Sequence, residues 1–238
     1  MSLQALIFDV DGTLADTERD GHRPAFNAAF DEAALGWHWD VDLYADLLAV
    51  TGGKERIRHY AALYDPDFLA QPDADEVIRS LHVAKTRHYL AIVASGRIPL
   101  RPGVTELIAE AREAKLRLAI ATTTTPENVA ALLRASLAPD AVDWFDVIGA
   151  GDVVPNKKPA PDIYFWVLAH LGLPAQRCLA IEDSANGLRA AAAAGLPTLV
   201  TRNAYTQGDD FSGALAVLPD LKDTSLSALK LIHQIKTS

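Results

Sequence analysis

The chain has 238 residues, 50% of them hydrophobic and 22% charged, enough apolar material for one sizeable core or a core with an insert. Lys and Arg total 22 against 31 Asp and Glu, a formal charge of −9, and the basic residues never run longer than two. That balance argues against nucleic acid or a membrane surface as partner and leaves small anions open, because a local cluster of lysines and backbone N–H groups binds phosphate whatever the global charge.

Met1 leads directly into an apolar run at 5–8, without a basic patch, signal segment or small-residue cleavage site, so a cytoplasmic location is expected. The run is read as a buried strand. It delivers Phe8-Asp9-Val10-Asp11-Gly12-Thr13-Leu14 to its carboxyl end, placing Asp9 and Asp11 two residues apart at a turn that Gly12 permits. Two acids at one turn repel, and a hard divalent ion with oxygen ligands, Mg2+ for example, offsets that repulsion. Alone, the segment also fits a turn, a helix cap or the opening of a calcium loop, although the third acid and the closing Glu of such a loop are missing.

From about Thr17 to Gly96 the pattern changes to helix-like stretches at 22–35, 54–63 and 74–93, with no convincing buried strand. This is read as a helical insert. The core resumes near Leu100-Arg101-Pro102-Gly103, which gives a core of residues 1–15 and 99–238, a helical domain of residues 16–98, and two connecting segments as candidate hinges.

Beyond the insert, apolar runs at 118–121, 147–148, 178–181 and 197–200 alternate with helical patterns at 104–114, 126–135, 160–171 and 185–194, whose starts carry Pro or Asp and whose stops include Gly172 and Gly195. Strand and helix in alternation predict an α/β fold with a doubly wound, Rossmann-like parallel sheet that binds ligands at the carboxyl ends of its strands. The run at 118–121 ends in Thr122, whose hydroxyl and N–H suit a phosphoryl oxygen. Asn156-Lys157-Lys158-Pro159 sets cations just ahead of a helix start, where Lys157 or Lys158 neutralises a phosphate and the Asp9 carboxylate together. Cys178, the single cysteine, opens an apolar strand and reads as a buried thiol. That strand ends in Ile181-Glu182-Asp183-Ser184, an acidic pair fit for a metal at the sheet edge or for a helix cap.

These four segments, in this order, resemble the four signature motifs of the haloacid dehalogenase superfamily, and an insert after the first motif resembles its helical cap. The resemblance implies that Asp9 is the nucleophile and Asp11 the general acid and base. Asp9, the Asp11 main-chain carbonyl and Asp183 would hold Mg2+ with Glu182 near or in the shell, and Thr122 and Lys158 would hold the transferring phosphoryl group. Lys158 is preferred to Lys157 because the family lysine directly precedes a Pro-x-Pro-Asp stretch.

Within the superfamily the insert is most similar to the CbbY-type proteins, which include xylulose-1,5-bisphosphate phosphatases and are related to beta-phosphoglucomutase. Thr17-Glu18-Arg19-Asp20-Gly21-His22-Arg23, Thr51-Gly52-Gly53-Lys54-Glu55-Arg56 and His82-Val83-Ala84-Lys85-Thr86 resemble segments that face the substrate there. Glu18 and His22 would bind sugar hydroxyls, Gly52 and Gly53, with Lys54, Arg56 and Lys85, would meet a second phosphate, and His82 would face the substrate. The Glu18-to-His22 spacing is one residue longer than in some bacterial members and matches plant-type ones. Thr123 and Asn128 resemble further substrate residues, although Asn128 also fits ordinary first-turn helix polarity.

The implied activity is phosphate release from a small sugar (bis)phosphate by a monomer, with the active site between core and cap. A beta-phosphoglucomutase-type enzyme would share nucleophile, metal and cap but return the phosphate to its sugar. A non-catalytic phosphate-binding domain should have lost an essential group, and all of Asp9, Asp11, Thr122, Lys158 and Asp183 are present.

Overall fold

In the computed structural model, which describes residues 2–237 except for the side chains of 236 and 237, β1 (Ala5–Phe8) has no exposed residue. A strand buried on both faces needs an unbroken apolar run rather than alternation, which is what Ala-Leu-Ile-Phe supplies. Five further strands join it: β2 (Arg117–Ala121), β3 (Val147–Gly149), β4 (Cys178–Glu182), β5 (Thr198–Thr201) and β6 (Ala216–Leu218). All pair in parallel, in the order β3-β2-β1-β4-β5-β6.

The chain builds outward from β1 to β3 on one side, then returns to lay β4 against the other side of β1. That reversal opens a crevice at the carboxyl end of β1, the place where open α/β sheets bind ligands. Strand register fixes which residues reach it. Phe8 pairs with Ile120 on one side and Ile181 on the other, so Asp9 emerges level with the ends of β2 and β4.

The chain divides into two compact units, one running to Asp16 and resuming at Pro99, the other Thr17–Ile98. The first holds the sheet and the helices α6 (Val104–Glu113), α7 (Pro126–Ser136), α8 (Asp162–Leu171), α9 (Ala185–Ala193) and α10 (Leu226–Thr237). α8 packs on β2 and β3, α9 on β4 and β5, and α10 on α6. The second is entirely helical: α1 (Arg23–Glu32), α2 (Val41–Leu47), α3 (Gly53–Tyr64), α4 (Pro66–Leu69) and α5 (Ala74–Ala94), with a π-helical turn at Glu18–His22 ahead of α1. Its core is aromatic, with Phe26, Phe30, Trp37, Trp39 and Tyr60 in mutual ring contact. Asn27 clamps the Trp39 backbone with its side-chain amide, donating from Nδ2 to the Trp39 carbonyl at 2.9 Å and accepting at Oδ1 from the Trp39 N–H at 2.8 Å.

Several elements depart from the expected pattern for local reasons. The helix expected at 22–35 stops at Glu32, because Ala34 takes a positive φ of 53°. The helix expected from 160 begins at Asp162, after a Pro-Ala-Pro stretch in which the residue before the second proline resists the helical region. β6, α2, α4 and α10 carried no expectation; β6 is a three-residue, half-buried edge strand and so lacks a buried apolar run.

Cys178 has no exposed surface and packs among Ala5, Ala180 and Leu171, and burial pushes its thiol up to about 12. A group with that value stays a thiol throughout the range of ordinary buffers, and the thiolate is the reacting species. Labelling by a disulfide reagent at pH 8 should therefore be at least about a hundredfold slower in the native protein than in urea. Equal rates would mean that the α8 and α9 face of the sheet opens readily.

Candidate active site

Asp9 enters the crevice with its backbone N–H on the Ile181 carbonyl at 3.0 Å and its side chain almost wholly buried. Lys158, from the loop before α8, reaches across to it. The Lys158 Nζ donates to Asp9 Oδ1 at 2.7 Å, to Glu182 Oε1 at 2.6 Å and to the Ala121 carbonyl at 2.8 Å, so a single ammonium ties together the ends of β1, β2 and β4. The neighbouring Lys157 is used elsewhere, on the Gly151 carbonyl and Asp152, each at 2.6 Å. The two lysines left open by sequence are thus separated by what each touches.

Electrostatics follow from that packing. Burial pushes the Asp9 carboxyl up to about 8; Lys158 pulls against this, while Glu182 and Asp11 add to it. Burial also works against the charge on Lys158, but the two carboxylates outweigh it and hold its proton more tightly than in water. Asp9, Glu182 and Asp183 offer ligand oxygens within 4.8 Å of one another, all buried. One ammonium does not balance three carboxylates, and an all-oxygen donor set of this kind fits a hard divalent cation.

Gly12 is needed here for two separate reasons. Its φ is +85°, and a Cβ at that position would stand 2.3 Å from Asp183 Oδ2. Gly187 plays the matching part under Glu182, where a Cβ would fall within 1.9 Å of the carboxylate. The turn after β1 is closed by Leu14 N–H on the Val10 carbonyl and by a bridge between Asp11 and Ala15, which leaves Asp11 half-buried beside Asp9. Thr122 is buried at the end of β2, its N–H on the Gly149 carbonyl at 2.9 Å and its hydroxyl accepting from Thr124 N–H at 3.2 Å. Thr123 follows, half-buried. Asn128 donates to the Thr124 hydroxyl at 3.1 Å within its own helix start, and its buried Oδ1 has no hydrogen-bond partner among the described residues.

The sheet unit thus gathers Asp9, Asp11, Thr122, Lys158, Glu182 and Asp183 at adjoining strand ends. The remaining sequence candidates form a second cluster within the helical unit. Glu18 accepts from the Tyr44 hydroxyl at 2.5 Å, Arg56 donates to the same hydroxyl at 2.9 Å, and Arg56 and Glu18 stand 3.8 Å apart. The Arg56 Nε is spent on the Leu47 and Val50 carbonyls, so this buried guanidinium braces Glu18 and the loop before α3. His22 stacks on Tyr89 at 4.1 Å, and its Nδ1 lies 2.8 Å from the Lys85 Nζ, which in turn sits over the Phe26 ring. At Gly52 (φ +101°) and Gly53 the space a Cβ would take is filled by the Glu55 carboxylate and the His82 ring. Lys54 is half-buried in the first turn of α3.

Three residues that bond to the groups at the strand ends carry no signal in the sequence. Tyr164 donates its buried hydroxyl to Glu182 Oε1, sharing that oxygen with Lys158; in sequence it is one more apolar position of α8. Arg101 sends its buried guanidinium to the Gly12, Thr201, Arg202 and Pro219 carbonyls and pairs with Asp16 at 3.3 Å. Asn203 donates to Asp183 Oδ2 at 2.6 Å. The rule that strand ends carry chemistry, applied to β5, would have drawn attention to it.

Comparison with known proteins agrees with this geometry. The family model of the haloacid dehalogenase-like hydrolases matches residues 3–195. The plasmid-borne protein CbbY of Cupriavidus necator is 57% identical over 221 residues, which is 93% of this chain and 87% of that protein. A crystal structure of a CbbY variant from Rhodobacter sphaeroides in complex with xylulose-(1,5)bisphosphate superposes with a TM-score of 0.89 at 46% identity, covering 96% of this chain and 99% of that one. The beta-phosphoglucomutase of Clostridium difficile shares the fold, with a TM-score of 0.81 at 18% identity and 98% of each chain covered.

Proposed function

The chain belongs to the haloacid dehalogenase-like hydrolases, and we propose that within them it is a magnesium-dependent phosphatase that hydrolyses xylulose 1,5-bisphosphate to xylulose 5-phosphate through an aspartyl phosphate on Asp9. The observation that carries this reading is the buried Asp9 carboxylate at the end of the central strand, held by Lys158 at 2.7 Å beside Glu182 and Asp183. The substrate rests on likeness to a CbbY solved with that bisphosphate.

Asp9 is the attacking group. One of its carboxylate oxygens forms a bond to phosphorus as the bond from phosphorus to the sugar oxygen breaks, and Asp11 gives that oxygen its proton. A water deprotonated by Asp11 then attacks the aspartyl phosphate, releasing inorganic phosphate and restoring Asp9. Lys158, fixed by three acceptors, keeps the carboxylate aimed and offsets negative charge on the phosphoryl group, while Thr122 offers its hydroxyl to a phosphoryl oxygen. Asp9, the Asp11 carbonyl, Asp183 and Glu182 would hold Mg2+, which supplies charge neutralisation of the phosphoryl oxygens. Recognition of sugar hydroxyls falls to Glu18 and His22, and of the second phosphate to Lys54, Arg56, Lys85 and the backbone at Gly52 and Gly53, with His82 facing the substrate beside Gly53.

Phosphate release should be measured on a panel of sugar mono- and bisphosphates with Mg2+ or EDTA. The expected outcome is fastest release from xylulose 1,5-bisphosphate and loss of at least about a hundredfold in EDTA. Isomerisation of beta-glucose 1-phosphate without phosphate release would replace this reading by a mutase.

A further inference from the structure

We infer that Asn203, in the loop after β5, is a positioning residue that sets the orientation of the Asp183 carboxylate for the metal; the inference rests on the magnesium reading above. An Asn side chain has one accepting and one donating end, and which end faces a carboxylate is normally an open choice. Here it is decided by the backbone. The Tyr205 N–H donates to Asn203 Oδ1 at 2.9 Å, so the donating Nδ2 is the end that meets Asp183 Oδ2, at 2.6 Å.

The loop that carries this amide is itself tied down. The Asn203 N–H donates to the Thr206 hydroxyl at 3.1 Å, and the Thr206 N–H returns to the Asn203 carbonyl at 3.3 Å. On the strand side, Arg101 holds the carbonyls of Thr201 and Arg202, and the same guanidinium holds the carbonyl of Gly12 in the nucleophile turn. Further along the same loop, Asp209 Oδ2 accepts from the Ala185 N–H at 2.7 Å. The acidic turn Glu182-Asp183-Ser184-Ala185 is therefore gripped twice by one loop, once through a side chain and once through a helix N-terminal N–H.

A carboxylate used as a metal ligand gains from such a grip. Free to rotate, it must lose that freedom on binding; already hydrogen-bonded, it presents one oxygen in a set direction, and partners of this kind typically carry about ten- to a hundredfold in metal affinity. Gly12 belongs to the same arrangement, since a Cβ there would stand 2.4 Å from Asn203 Nδ2 as well as against Asp183. The β1 turn and the β5 loop thus both shape the space around one carboxylate.

The test separates orientation of Asp183 from construction of the loop. In Asn203→Ser the hydroxyl still accepts from Tyr205 N–H in the manner of a Ser turn but is too short to reach Asp183, whereas Asn203→Ala loses both bonds. Mg2+ binding to the whole protein should be measured by calorimetry, beside metal-free Tm and the Mg2+ dependence of phosphate release. Both variants are expected to bind Mg2+ about ten- to a hundredfold more weakly, with kcat at saturating Mg2+ within about threefold of wild type and Tm lowered in Asn203→Ala alone. Wild-type Mg2+ affinity in Asn203→Ser, or a loss of affinity that simply follows Tm, would overturn the assignment while leaving the metal reading intact. Absence of Mg2+ binding by the wild-type protein would overturn both.

Discussion

Asp9→Asn should lower the rate of phosphate release by about four orders of magnitude or more while leaving the fold in place, the scale of loss seen when a covalent nucleophile is removed. The amide has nearly the shape of the carboxylate but lacks the negative charge that makes a carboxylate oxygen a nucleophile toward phosphorus. Its structural cost is small for a specific reason. Burial already works against charge on Asp9, pushing its carboxyl up to about 8, so a neutral group removes a desolvation cost as it weakens the bond to Lys158. Steady-state phosphate release and acid-quenched incorporation of radiophosphate should both vanish, with circular dichroism unchanged. Turnover retained within about tenfold would refute the covalent route through Asp9.

Lys158→Met should be costly in both activity and stability. The ammonium donates to Asp9, Glu182 and the Ala121 carbonyl, all buried, and Met leaves those acceptors facing one another. Removing one partner of a buried ion pair costs about 3–5 kcal/mol, and loss of the charge at the phosphoryl group about a hundred- to a thousandfold in kcat. The deficit has a pH signature when urea unfolding is followed in EDTA. Lys158 holds the Asp9 carboxyl down against burial, so its loss raises that carboxyl further above its unfolded value of 3.8. Up to about pH 8 both proteins lose stability alike, since each native carboxyl keeps a proton that the unfolded chain has given up; above about 8 the wild-type carboxyl ionises and its curve flattens, while the variant keeps its proton and its stability goes on falling. A deficit independent of pH would place the effect in packing rather than charge.

The contrast between Lys157 and Lys158 shows where reading a sequence stops. Position in the motif favoured Lys158, but adjacent lysines before a helix are chemically equal until the chain folds. The loop from Gly151 to Pro159 turns one inward to three buried acceptors and the other outward to Asp152. In the helical unit the same limit has the opposite effect. In the sequence Arg56 and Lys54 are equivalent cations toward an anion; the structure gives Arg56 hydrogen bonds to the Tyr44 hydroxyl and two backbone carbonyls, with Glu18 at 3.8 Å, partners that no count of charges contains.

What the sequence by itself determined are the features carried by contiguous residues. Apolar runs without alternation specify strands buried on both faces, and Asp9, Thr122 and the Glu182-Asp183 pair stand at the ends of such runs, so a parallel sheet brings them to one edge whatever the loops do. The tertiary structure decided everything that depends on partners distant in the chain. Tyr164, Arg101 and Asn203 act through bonds to Glu182, Gly12 and Asp183, residues 18, 89 and 20 positions away. Such pairings arise from strand order and loop packing, and no local period or motif encodes them. For the same reason β6 and α10 escaped the sequence reading: one is a short, half-buried edge strand, and the other packs on α6, more than a hundred residues earlier.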